Sequence, residues 1–250
     1  MTSPGPGTPA PAVIRAALIL EVISKLAGSY PRISDIARDT GIPPSSVTNI
    51  LAALADTGLV RRTGAGYSIG PATVELASNF LRSDDKVHRF REFVPEMDAL
   101  SAETAQLGTL IESDVLFVAR HDGTQPIALT STIGKRLPAS STAIGKAMLA
   151  QLESAELTAI VSEPLPRLTE RSHRDLESLS EDLAAIRRRG HAIDDEEAAP
   201  NVVCLAVAVE SREGDPRFAV STTLFKERLT PPLQQRLVAD LAAVASYLAT

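Results

Sequence analysis

The stretch AALILEVISKLAGSYPRISDIARDTGIPPSSVTNILAALADTGLVRRTGAGYSIGP, residues 16–71, decides the architecture of the N-terminal third. Ile14, Ala17, Leu18, Val22 and Leu26 recur at three- and four-residue steps, a helical period that Gly28 closes. Pro31 breaks the chain, and Ser34 is the expected N-cap of a short second helix, Asp35 to Asp39, ending at Gly41. Pro43 and Pro44 fit only at the very start of a third helix, whose Val47, Ile50, Leu51 and Leu54 form one apolar stripe before Gly58 ends it. The period then changes. Leu59–Arg62 and Tyr67–Ile69 are strand-like, with Thr63–Gly66 a turn between them. Three helices followed by a hairpin, the second and third helices joined by a tight turn at Gly41, is the layout of a winged helix-turn-helix.

If the apolar stripe of the third helix faces the core, Ser45, Ser46, Thr48 and Asn49 are left on its outer face near the N-terminal end. A recognition helix presents that end to the bases, where Asn pairs with adenine and Ser or Thr reach bases or phosphates. Arg61 and Arg62 stand beside the wing, and Arg32 and Arg38 beside the second helix, where guanidinium groups would hold phosphates. Read one by one, all eight are also ordinary solvated side chains, and their order in the motif is what favours DNA. Charge is divided unevenly. Residues 1–82 hold seven basic and five acidic side chains, a net +2, within a chain whose total is −6, so the remainder carries −8. So small a positive charge implies that one copy binds DNA weakly and that a dimer or tetramer presents several.

The rest of the 250 residues excludes more than it assigns. No apolar run approaches the ~20 residues of a membrane span. The N-terminus lacks a secretory pattern, and a single cysteine fits a reducing cytoplasm. His88, His121, His173 and His191 are scattered, none at metal-ligand spacing from another or from Cys204, so no metal site or cofactor is expected. Residues 1–11, rich in Pro, Gly, Ser and Thr, are expected to be a disordered tail. The winged domain covers 12–70 and a linker helix 71–88, with the domain boundary near residue 84. Residues 89–250 form an α+β domain. Within it Phe90–Thr104 reads as helix, and Gln106–Ile111, Val115–Arg120 and Ile127–Ile133 as strands. Ala143–Gln151 and Leu176–Arg189 read as helices, Val202–Val209 and Phe218–Leu224 as strands, and a last helix is capped by Thr230.

The helix-turn-helix run, followed by LPASSTAIGKAMLA (137–150), RRRGHAIDDEEAAPNVVCLAVAV (187–209) and AVSTTLFKERLT (219–230), resembles the IclR family of bacterial transcription regulators. The resemblance covers about residues 12 to 245. It implies dimers, often paired, that bind double-stranded operator DNA, and a C-terminal GAF-like domain that senses a small molecule, an organic or aromatic acid. It also implies an effector pocket touching Leu137, Ala143, Ile144, Asp194, Cys204, Ser221 and Thr223. There are departures: Asn49 stands where the family usually has a basic residue, Pro44 where it has a basic or polar one, and Leu224 where a glycine is common.

The residues themselves leave alternatives open. Residues 137–146 superficially suggest a phosphate loop, but Ser140 stands where its first glycine is needed and Ala147 follows the lysine. A capped helix start is the better reading, and such a start also attracts a carboxylate. Asp194–Glu197 reads as a solvated acidic loop, and Cys204 as a buried structural thiol. Ser221 and Thr223 alternate along one strand and so share a face. Two rival functions remain: a winged helix used only for protein contact, and an enzyme with Asp194 or Glu196 as general base, although no nucleophile motif accompanies them.

Overall fold

Helices α1 (Pro11–Lys25), α2 (Ile33–Thr40) and α3 (Pro44–Asp56) precede the hairpin β1 (Val60–Arg62) and β2 (Tyr67–Ile69). The computed structural model describes residues 9–26, 28–124, 132–210 and 217–249, which divide into two units at Ser83/Asp84. In the first unit Ile19, Ile23, Ile36, Ile42, Val47, Leu51, Leu54 and Val60 close a small core. The tight turn depends on Gly41, which ends α2 at φ 67°. An added Cβ there meets nothing within 4 Å, so the demand for glycine is purely conformational. Helix α2 starts earlier than its serine suggests. Arg32 is the N-cap, and the Asp35 carboxylate accepts the Arg32 N–H at 3.0 Å, so Ser34 lies inside the first turn. The tail expected over 1–11 falls on residues 1–8 outside the described ones, and Pro11 already belongs to α1.

The linker expected as one helix over 71–88 is two. Helix α4 (Ala72–Ser83) stops, and Asp84 caps α5 (Asp85–Phe93) by accepting the Val87 N–H at 3.1 Å. The helix expected over Phe90–Thr104 ends at Phe93, giving way to 3-10 turns at Val94–Glu96 and Leu100–Ala102. Pro95 supplies no N–H to continue it, and Asp240 draws the N–H groups of Ala99 and Leu100 away at 2.7 and 2.9 Å.

The second unit is built on six antiparallel strands: β3 (Thr104–Ile111), β4 (Asp114–His121), β5 (Arg136–Pro138), β6 (Ala192–Asp195), β7 (Val202–Ala208) and β8 (Phe218–Phe225). Their order is β5-β4-β3-β8-β7-β6. For the strand expected over Ile127–Ile133, residues 127–131 lie outside the described ones, and Ile133 sits in a turn. Helices α6 (Ala143–Leu149), α7 (Ser154–Ile160) and α8 (Leu176–Arg189) join one apolar cluster with Val115, Phe117, Ala206 and Ala219 of the sheet. The last helix, α9 (Pro231–Ala249), packs on β7, β8 and α5. Both sides of the central strand are therefore covered, and β8 is buried from Phe218 to Leu224. Gly108 sets how close α6 lies: a Cβ on it would stand 2.7 Å from Val115 and 3.0 Å from Ile144.

Gly41→Ala is expected to lower the unfolding free energy by about 1–2 kcal/mol, the cost of a left-handed residue bearing a Cβ. Gly64→Ala in the wing turn has neither positive φ nor a near neighbour and should be neutral or slightly stabilising. Urea unfolding of both variants measures the contrast, and equal effects would contradict it.

Candidate functional site

In the first unit, Val47, Leu51 and Leu54 turn inward, which leaves Ser45, Thr48 and Asn49 exposed and Ser46 half-buried. The Thr48 hydroxyl is engaged by its own helix, donating to the Pro44 carbonyl at 2.9 Å. Thr48 is therefore less available than its exposed neighbours Ser45 and Asn49. Arg61 and Arg62 are exposed on β1, and Arg32 is exposed ahead of α2. Arg38 differs: it pairs with Asp39 at 2.9 Å and Asp35 at 3.4 Å. Its charge is already partly compensated, which lowers its value for a phosphate.

In the second unit the seven residues named from the resemblance, Leu137, Ala143, Ile144, Asp194, Cys204, Ser221 and Thr223, line one cavity of about 50 Å³. Register explains the convergence. Asp194 of β6 pairs with Cys204 of β7, Cys204 with Thr223 of β8, and Ser221 with Gln106 of β3. Cys204 Sγ and Thr223 Oγ1 are 3.3 Å apart. Above the sheet, the Thr142 hydroxyl accepts the Gly145 N–H at 3.2 Å and donates to the Pro138 carbonyl at 3.3 Å. The N–H groups of Ala143 and Ile144 open α6 and have no partner within the helix itself. Gln106, Phe117, Thr142 and Val202 complete the wall and were not anticipated. Thr142 had a sequence signal, its hydroxyl just before the helix. Gln106 has one only once its register opposite Ser221 is known. No Lys, Arg or His lines this cavity among the described residues.

The acidic run is not the solvated loop its composition suggests. Asp194 is 1% exposed and Glu197 8%. Asp194 Oδ1 accepts the N–H groups of Glu197 at 2.7 Å and Ala198 at 3.2 Å. Burial, reinforced by the Glu197 carboxylate, pushes Asp194 up from 3.8 to about 7. Burial, then the nearby Asp194, also pushes the Cys204 thiol well up, so it is a poor nucleophile. Behind Asp194 the fully buried Lys146 donates to Asp182 Oδ2 at 2.7 Å, to the Ile193 carbonyl at 2.8 Å and to Glu197 Oε1. Glu196 is drawn outward by Lys226 at 2.8 Å and accepts the Asn201 N–H at 2.9 Å. The two acids considered as a general base therefore do not converge on one place.

Comparison with known proteins completes the assignment. The model of the IclR helix-turn-helix domain matches residues 12–64, and that of the bacterial transcriptional regulator IclR C-terminal domain matches residues 79–250. The chain belongs to the IclR family of bacterial transcriptional regulators. Its family is one of DNA-binding regulators and not of enzymes. The HTH-type transcriptional regulator BhcR of Paracoccus denitrificans is 30% identical over 215 residues, 85% of this chain and 76% of BhcR. An IclR transcriptional regulator from Alicyclobacillus acidocaldarius shares the fold with TM-score 0.85 at 20% identity, over 97% of this chain and 98% of that one. An IclR homologue from Microbacterium hydrocarbonoxydans, solved with 4-hydroxybenzoate, superposes with TM-score 0.74 at 23% identity, over 95% and 98% of the two chains.

The raised Asp194 links this regulator's stability to pH. A carboxyl whose pKa is higher in the folded chain keeps its proton there after the unfolded chain has lost it. Folding then takes up a proton, and stability falls as pH rises from 3.8 to about 7. Asp194→Asn retains an acceptor for both N–H groups and removes this loss. Its unfolding free energy should gain on the parent's between about pH 5 and 7, by up to about 1.4 kcal/mol per pH unit. A pH-independent difference in urea unfolding would contradict the assignment.

Proposed function

We propose that this IclR-family chain is an effector-responsive regulator that binds operator DNA through α3 and the wing, as a dimer or a pair of dimers, with a small organic acid in the Asp194 cavity. In this reading residues 12–70 read DNA, 71–88 link, and 89–250 bind the effector and associate. Ser45, Ser46 and Asn49 meet base edges, Arg61, Arg62 and Arg32 hold phosphates, and Thr48 and Arg38 contribute less because each is already engaged. The regulator works in the cytoplasm. In keeping with that, Cys204 is a free thiol, and no helix among the described residues is long and apolar enough to cross a membrane.

The observation that carries the effector reading is the convergence of hydroxyls, amide and helix-start N–H groups on one otherwise largely apolar pocket. The N–H groups of Ala143 and Ile144, with the hydroxyls of Ser221 and Thr223, suit a carboxylate in a site without a cation. Asp194 and Gln106 suit a hydroxyl elsewhere on the same ligand. Size narrows the class. At about 50 Å³ the cavity is small for a ligand site. A short-chain acid is favoured, and a larger one such as the aromatic acid bound by the Microbacterium homologue is expected to press on Phe117 and Leu137 of the wall. Binding acts on DNA affinity only through a difference in effector affinity between DNA-competent and incompetent states.

Two experiments test this reading. In operator binding, Asn49→Ala should relax base preference, while the double variant Arg61→Ala, Arg62→Ala should weaken all DNA and flatten the log–log salt slope by about two. Unchanged operator affinity in both removes these contacts from the reading. In thermal-shift measurements, short-chain hydroxy or oxo acids should raise the midpoint of the parent and lose that effect in Ser221→Ala. Phe117→Ala should gain a response to 4-hydroxybenzoate; a parent that responds equally to the aromatic acid refutes the size argument.

A further inference from the structure

Behind the effector cavity, three side chains that sequence spacing keeps far apart meet. His173 comes from the loop before α8, Asp182 from α8 and Glu197 from the segment after β6. One ligand atom from each lies within 4.8 Å of the others. His173 Nε2 stands 3.5 Å from Asp182 Oδ2 and 3.7 Å from Glu197 Oε2. These separations are long for hydrogen bonds, and the buried His173 Nε2 and Glu197 Oε2 atoms have no hydrogen-bond partner. They are close to the ~3.3 Å between neighbouring ligand atoms that metal–ligand bonds of ~2.0–2.1 Å impose in a tetrahedral site. Lys146 holds one oxygen of the Glu197 carboxylate, and the other, on a residue that is 8% exposed, makes no hydrogen bond of its own.

We infer that His173, Asp182 and Glu197 form a binding site for a divalent transition-metal ion. One imidazole and two carboxylates favour ions of the zinc, cobalt or manganese kind over magnesium, which prefers oxygen ligands and keeps its water. Lys146 already bonds two of the three residues. It holds the other oxygen of Glu197 and shares Asp182 Oδ2, while Arg189 takes Asp182 Oδ1 at 3.2 Å. The two cations orient the carboxylates from outside, as second-layer donors do around metal ions. They also compensate both negative charges, which limits affinity and favours reversible occupancy. Three protein ligands leave coordination positions for water. The site is joined to the effector cavity by one residue: Glu197 offers its side chain to the ion and its N–H to Asp194.

The test uses the full chain after chelator treatment, with Zn²⁺ by calorimetry and Co²⁺ by visible absorption. One Zn²⁺ per chain is expected, at least about tenfold tighter than Mg²⁺, with a Co²⁺ ligand-field band that Zn²⁺ displaces. His173→Ala and Glu197→Gln should each weaken Zn²⁺ binding at least about tenfold and abolish the band. His191→Ala, outside the cluster, should leave both unchanged. Circular dichroism checks that each variant is folded. If one is not, the other and His173→Gln carry the test. Absence of stoichiometric Zn²⁺ binding, equal binding of Mg²⁺, or binding that survives in folded His173 and Glu197 variants overturns the site. The DNA and effector readings stand or fall independently of it.

Discussion

The ammonium group of Lys146, with no solvent exposure, bonds to Asp182 of α8, to the Ile193 carbonyl of β6 and to Glu197 beyond it. Desolvating such a charge costs several kcal/mol unless acceptors surround it, and here three do. The bonds join α6, α8 and the β6 edge of the sheet at one point. Helix α6 carries Ala143 and Ile144, and β6 carries Asp194, so the contact that anchors these elements also sets two walls of the cavity. Removing Lys146 would leave Asp182 and Glu197 facing each other in a buried place, which is why a neutral residue there is no mild change.

Around that anchor the cavity is shaped by register more than by residue type. A shift of one residue between β7 and β8 would turn Ser221 and Thr223 to the opposite face and put Thr222 in their place. Thr222 instead donates to the Thr104 carbonyl at 3.1 Å, a structural bond within the sheet. Ser221, Thr222 and Thr223 thus divide between cavity-facing and structural positions by pleat alone. In the winged domain the logic is more local. Its core needs few residues, and the polar side chains of α3 lie on the face turned away from it.

The winged domain was legible because its signals are short-range: a 3.6-residue stripe on α3, a glycine that must turn left-handed, and paired strands around a four-residue turn. The strands Val202–Ala208 and Phe218–Phe225 and the helix Leu176–Arg189 were legible for the same reason, as was the Thr142 cap before α6. Misreadings fell where a distant group intervenes. Asp240 of α9, far along the chain, takes the N–H groups of Ala99 and Leu100 and ends the helical continuation expected there. The run Asp194–Glu197 looked solvated by composition, yet Lys146 and the backbone after β6 draw Asp194 and Glu197 inward while Lys226 holds Glu196 outside.

By itself the sequence determined the winged helix, the α+β body and the family, since periodicity, caps, turns and ordered motifs are properties of neighbouring residues. It also supplied the seven cavity residues, but through likeness and not through contact. The tertiary structure decided the size of the cavity, the burial of Asp194 and the meeting of His173 with Asp182 and Glu197. Each of these depends on strand register or on helices packing across long chain separations. No local pattern encodes such distances, because desolvation and coordination respond to what surrounds an atom and not to what precedes it.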